Sequence, residues 1–220
     1  AALEGRDILY DQNNKYNLTI RKTLEAIYEN YKGDRNDKEF LALECYLKRV
    51  WFSNGIHHHY ATDKFTPEFS ESFFETTVRT LPSNTLPIQA YDNSVENLIA
   101  AIKPVIFDST LYAKRVNQNE NIDLVKNSAN NYYEGVTEAE VDQFYNSKKE
   151  PNDPMPISWG LNSKLMKENG NLVEKTWKIG GMYNDAIQKI VYWLEKASKV
   201  AENEDQQRVI NSLIDYYETG

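Results

Sequence analysis

Apolar residues in the first half of the chain recur at helical spacing. Ile20, Leu24, Ile27, Tyr28 and Tyr31 fall three and four apart, which makes one helix face apolar. Gly33 stands where it can end that helix in a left-handed cap. A second helix starts near Asp37, carries Phe40, Leu43, Leu47, Val50 and Trp51 on one side, and stops by Gly55. A third fits Ser70 to Arg79 and is stopped by Pro82. A fourth fits Ser94 to Ile106, with Pro104 distorting its end because proline lacks an amide donor. Thr137-Glu138-Ala139-Glu140 is a capping box, in which the Thr hydroxyl accepts from a backbone N–H three residues on and Glu140 reaches back. A short helix through Tyr145 follows from it.

The period then changes. Pro151, Pro154 and Pro156 mark a loop, and two runs follow it, Ile157–Met166 and Leu172–Ile179. In the second run Val173, Lys175, Trp177 and Ile179 alternate with Leu172, Glu174, Thr176 and Lys178. Asn169-Gly170 between the runs supplies the positive φ angles of a tight hairpin turn. A lone hairpin is marginal, so it needs further strands or a helix to pack on, and 130–133 offers a strand. Gly180-Gly181 closes the strand region as a tight strand-to-helix turn. Ile187, Ile190, Val191, Leu194, Ala197 and Ala201 then form one helical stripe, and Val209, Ile210, Leu213, Ile214 and Tyr217 another.

The expected fold class is α+β, helices packed with a small antiparallel sheet or partial β-barrel whose hairpin lies near 157–179. Residues 1–128 read as mainly helical, 129–182 as strand-rich and 183–220 as a helical hairpin, all within one unit. Nothing in the sequence covers the last stripe, so the native chain is expected to continue past Gly220.

Hydrophobic residues make up 40% of the 220 and aromatics 12%, enough to build a core. The formal charge of −8 repels phosphate backbones and argues against nucleic acid as a partner. No run approaches the roughly 18 uninterrupted apolar residues of a membrane span. The first residues do not form a signal peptide, but a signal upstream of Ala1 would be missing with its residues, so localisation stays open, with a soluble, cytoplasmic setting favoured over a periplasmic one. Cys45 is the single cysteine, so an internal disulfide is excluded, and its place in an apolar helical pattern predicts a buried, inert thiol. Trp51 and Trp193 are expected in the core.

Candidate chemistry is sparse. The three histidines are consecutive, His57, His58 and His59. Helical metal ligands usually sit four apart so that both rings face one ion, and adjacent residues point different ways, so no metal is expected in this chain. There is no G-x-S-x-G, P-loop or G-x-G-x-x-G. One segment departs from this background. From Trp51 to Phe65 an amphipathic helix ends at a glycine and a dense polar and aromatic stretch follows, the kind of loop on a rigid support that often carries recognition. Composition alone favours a structural loop.

Here the sequence resembles the zinc-dependent dipeptidyl-peptidase III family, in its bacterial branch. The matching residues are Phe52-Ser53-Asn54-Gly55, the aromatic Tyr60, and Lys64-Phe65. Further along, Ser128 to Thr137, Gly160-Leu161-Asn162-Ser163-Lys164-Leu165, Gly180-Gly181-Met182-Tyr183 and the helix Ile187 to Ala197 are similar too, so the likeness runs over the whole chain in the family's order. The resemblance implies a two-lobed exopeptidase that removes dipeptides from the N-termini of short peptides. One lobe holds a small β-barrel with helices, and the other holds zinc on an H-E-x-x-G-H motif with a further Glu.

The chain lacks H-E-x-x-G-H, has no histidine outside 57–59 and lacks the family's E-[ST]-Y segment. The resemblance therefore implies the non-zinc part of such an enzyme, inactive alone, with zinc held by the remaining lobe of the parent and short peptides as substrates. No catalytic residue carries over, and Tyr60 alone maps to a substrate contact. A stand-alone binding or scaffold domain is the alternative, and a small metalloprotein using the histidine triplet is a third.

Overall fold

The computed structural model describes residues 2–220. They contain α1 (Ala2–Asn13), α2 (Asn17–Asn30), α3 (Lys38–Ser53), α4 (Glu71–Thr80), α5 (Val95–Phe107), β1 (Tyr133–Glu134), α6 (Glu138–Asn146), β2 (Ser163–Glu168), β3 (Asn171–Thr176), α7 (Asn184–Ser198) and α8 (Glu204–Thr219). The fold is α+β, as the sequence pattern implied. The chain divides into two compact units, one of residues 13–119 and 127–130, the other of 2–12, 120–126 and 131–220.

The first of these is helical. Its helices start where the sequence offers side-chain caps: Asp37 accepts from the Glu39 amide, Ser70 from Phe73 and Ser94 from Asn97. Ile20, Leu24 and Ile27 of α2, Leu43, Leu47 and Val50 of α3, Phe74 and Val78 of α4, and Leu98 and Ile102 of α5 are buried. Each contributes about 1.5–3 kcal/mol by leaving water. Phe69 ties the helices together, its ring 5.5 Å from both Tyr46 and Phe107.

One expectation changes here. The α2 helix leaves through Tyr31 in an extended conformation (φ −58°, ψ 128°) rather than through a left-handed Gly33. The α5 helix includes Pro104, whose carbonyl accepts from the Asp108 amide, and ends at Phe107.

The second unit holds the sheet. β2 and β3 pair antiparallel in the register Glu168↔Asn171 to Ser163↔Thr176, joined by Asn169 (φ 50°) and Gly170 (φ 83°). Both positive angles are those of the mirror-image turn that matches strand twist. β1 adds to β2 in parallel, which makes the sheet mixed, three-stranded and open instead of purely antiparallel. Leu165 on β2 packs with Val136 and Val141. Both halves of the capping box at Thr137 and Glu140 form.

The helices α7 and α8 pack against each other. Their outer faces stay open: Trp193 and Val209 are exposed, and α8 buries no residue fully. Trp193 is thus on the surface, because it lies about 120° round the helix from the buried Ile187–Val191 stripe. The helix α1, which the sequence pattern did not single out, belongs to this unit through Asp11. Its carboxylate accepts from the Asn131 amide at 2.9 Å and the Tyr183 hydroxyl at 2.6 Å. No described helix is long and apolar enough to cross a membrane.

Candidate functional site

The segment from Ile56 to Phe65 folds into a short hairpin at the end of α3. The turn that launches it needs unusual backbone. Asn54 ends α3 in the left-handed region (φ 51°), and Gly55 follows at φ 146°. A Cβ on Gly55 would lie 2.2 Å from the Asn17 amide nitrogen, so only glycine lets the chain pass. The Asn17 side-chain Oδ1 accepts from the Ile56 backbone N–H at 3.2 Å. The hairpin's own ladder is Phe65 N–H to Ile56 O at 2.8 Å, His58 N–H to Asp63 O at 2.8 Å and Thr62 N–H to His58 O at 2.9 Å.

A second segment, residues 111–116, lies alongside and braces the hairpin. Lys64 N–H donates to Ala113 O at 3.0 Å, Arg115 N–H to Thr62 O at 2.8 Å and the Thr62 hydroxyl to Val116 O at 3.0 Å. The Arg115 guanidinium holds the His59 carbonyl at 3.1 Å and Asn13 at 3.1 Å. Asp63 and Lys114 form an ion pair at 2.6 Å. Two bulky residues accept left-handed backbone to make this fit, Thr62 (φ 62°) and Tyr112 (φ 54°).

The three histidines do different jobs. His57 is 2% exposed, and its Nε2–H donates to the Tyr112 carbonyl at 2.7 Å. Its Nδ1 therefore carries the lone pair and is buried without a partner among the described residues. Burial lowers its pKa to about 4, helped by the nearby cations Lys64 and Arg115, so the ring is neutral near pH 7. His58 Nδ1 accepts the amide N–H groups of Tyr60 and Ala61 at 3.2 and 3.1 Å. The rings of His58 and His59 stack with centroids 4.7 Å apart.

Tyr60 occupies the tip. It is 84% exposed, and its ring lies 4.3 Å from that of His59. Beside it opens a groove of about 540 Å³, walled by Phe52, Phe65, His58, His59 and Cys45, with Lys48 and Arg49 along one side. Phe52 meets His59 edge-on at 4.9 Å. The arrangement suits an apolar or aromatic side chain laid against rings with a polar backbone nearby.

The structure corrects two expectations at this site. Cys45 is exposed on the groove wall, because it lies about 200° round α3 from Leu43, opposite the buried stripe. Trp51 sits at the edge of that stripe, partly exposed, and its indole N–H donates to Glu25 at 2.8 Å. The groove and the bracing segment 111–116 were not visible in the sequence.

Lys64-Phe65 also acquires a concrete place. Phe65 packs edge-on against Tyr46 at 6.5 Å, and the Lys64 ammonium reaches three main-chain carbonyls at and beyond the end of α5. The Gly180-Gly181 turn is closed internally, with Gly180 N–H donating to the Asn184 side chain at 2.7 Å.

Zinc does not fit these side chains. Among the described residues no three His, Cys, Asp or Glu groups gather as a metal-ligand set. His57 already spends Nε2 on Tyr112, and His58 spends Nδ1 on the tip. No protein-family model and no curated protein matches the chain.

Proposed function

We propose that this chain is the substrate-contacting, non-zinc part of an exopeptidase of the dipeptidyl-peptidase III type, and that Tyr60 meets the bound peptide. The observation that carries this reading is the placement of Tyr60. An aromatic ring left 84% in water at the tip of a hairpin braced along its 62–64 edge by residues 113–115 supports a recognition role, since such rigidity is superfluous for a ring that only decorates a surface. The groove beside it gives a peptide side chain an apolar wall. The motif resemblance supplies the peptide and the reaction class, with zinc and its water held by the other lobe of the parent protein.

The test is binding of a short peptide with a free N-terminus, followed by NMR of this chain and by turnover in the parent enzyme. Peptide-induced shifts should centre on Tyr60, His59 and Phe52, and Tyr60→Ala should lower kcat/KM. Unchanged kcat/KM in that variant rejects the role of Tyr60.

A stand-alone interaction domain is the second reading, favoured by the open apolar faces of α7 and α8, where Trp193 and Val209 remain exposed. It expects no peptide-induced shifts at the Tyr60 hairpin.

A further inference from the structure

The tip of the hairpin is tied to a titratable ring. The amide N–H groups of Tyr60 and Ala61 both point at His58 Nδ1, at 3.2 and 3.1 Å. That geometry requires the nitrogen to carry a lone pair, so the neutral ring is the Nε2–H tautomer. A proton on Nδ1 would compete with both amides for the same lone pair and turn two attractions into a head-on meeting of donors.

The rest of the hairpin does not depend on this ring. Its ladder, the Arg115 clasp on His59 and the Thr62 bond to Val116 are contacts among neutral amides, a hydroxyl and a permanent cation. The loss would therefore be confined to the Tyr60–Ala61 corner.

We infer that His58 is a positioning residue whose protonation releases the Tyr60 tip. The hairpin is fixed when His58 is neutral and frees its exposed aromatic ring when the imidazole gains a proton. The charged groups around the ring are balanced. Lys48 and Arg49 share the groove, but Lys48 pairs with Glu44 at 2.9 Å and Arg49 lies 3.7 Å from Glu68. His59 stacks on the ring, Phe65 lies edge-on at 6.2 Å, and the Asp63 carboxylate is engaged by Lys114. The titratable groups of His59, Tyr60 and Cys45 also face the ring, so the His58 nitrogens are read separately from theirs. That this release regulates peptide contact rests on the function proposed above; the latch itself does not.

The experiment is a pH titration of the ¹⁵N-labelled chain by NMR, reading the imidazole nitrogens of His58 and the amides of Tyr60 and Ala61. The expected result is the Nε2–H tautomer at neutral pH. The two amide signals then move with the His58 midpoint, and their exchange protection, corrected for intrinsic rates, falls about tenfold from the neutral to the protonated end of that titration. His58→Asn keeps an acceptor oxygen without a titration and should hold both amides at constant protection.

The Nδ1–H tautomer, or amides that do not follow His58, overturns the latch. So does an unchanged pH response in His58→Asn, and if that variant does not fold, the wild-type tautomer decides alone. Peptide affinity across the same pH range is a separate arm. A titrating latch with no peptide binding rejects the functional reading and leaves the latch standing.

Discussion

The ammonium group of Lys64 donates to the main-chain carbonyl of Leu111 at 2.6 Å. The same group reaches the carbonyls of Val105, at 3.1 Å, and Asp108. One cation thus caps the end of α5 and anchors the segment that braces the hairpin, where a positive charge is also favoured by the helix dipole. Replacing Lys64 by Met keeps the stem and removes the three donors. The expected cost is about 2 kcal/mol, read as a lower urea midpoint, with enhanced amide exchange in residues 108–116. An unchanged midpoint would show that the carbonyls find other donors at no cost.

Gly55→Ala places a methyl group against the Asn17 amide in a backbone conformation that alanine rarely adopts. A loss of about 2 kcal/mol or more is expected in denaturant unfolding, and the Ile56 amide should lose its hydrogen bond to Asn17. A neutral result would mean that Asn17 swings away freely.

Stability should fall as the solution is acidified through the range set by His57. Its folded pKa, about 4, lies below its usual 6.5, so the unfolded chain binds the proton first. The neutral ring's contribution is complete above pH 6.5 and is lost as the pH falls to about 4. The magnitude is on the order of 2–3 kcal/mol. Urea midpoints measured across that window should slope less in His57→Gln, and parallel slopes would remove His57 as the cause.

Tyr60→Ala should leave the midpoint within about 0.5 kcal/mol of wild type, because the ring is mostly in water. Peptide affinity should drop about tenfold, the equivalent of roughly 1.4 kcal/mol. A large stability loss with no change in affinity would place Tyr60 in the scaffold instead.

Cys45 should react with an aromatic disulfide reagent in the folded chain, since its side chain is exposed beside the groove. A bound peptide should slow that reaction. A thiol that reacts only after unfolding would contradict the exposed position.

Much of the fold was legible because it is written in short-range chemistry. Asp37, Ser70, Ser94 and Thr137 each cap the helix they precede, and Asn169-Gly170 fixes the hairpin register. What escaped depends on partners far away in sequence. The parallel pairing of Tyr133 with Leu165 joins residues that no local period connects. The α1 helix shows little amphipathic pattern, with Gly5 inside it, and is held through Asp11 by Asn131 and Tyr183. Cys45 lies in an apolar-rich helix yet is exposed, because the buried stripe of α3 covers only one side of it. Of the candidate site, the substrate contact proposed for Tyr60 comes from the motif resemblance alone, and the structure adds only that its ring is exposed. The bracing by Tyr112, Arg115 and Val116 is a tertiary event that the sequence does not announce.

Thr62 and Tyr112 hold backbone angles that bulky side chains avoid, and each sits where the two strips of chain cross-link. Conformations of that kind persist only when their surroundings allow no alternative. Any molecule landing on the outer ring therefore meets a finished shape. Little of its attraction is diverted into organising the protein, and more survives as grip.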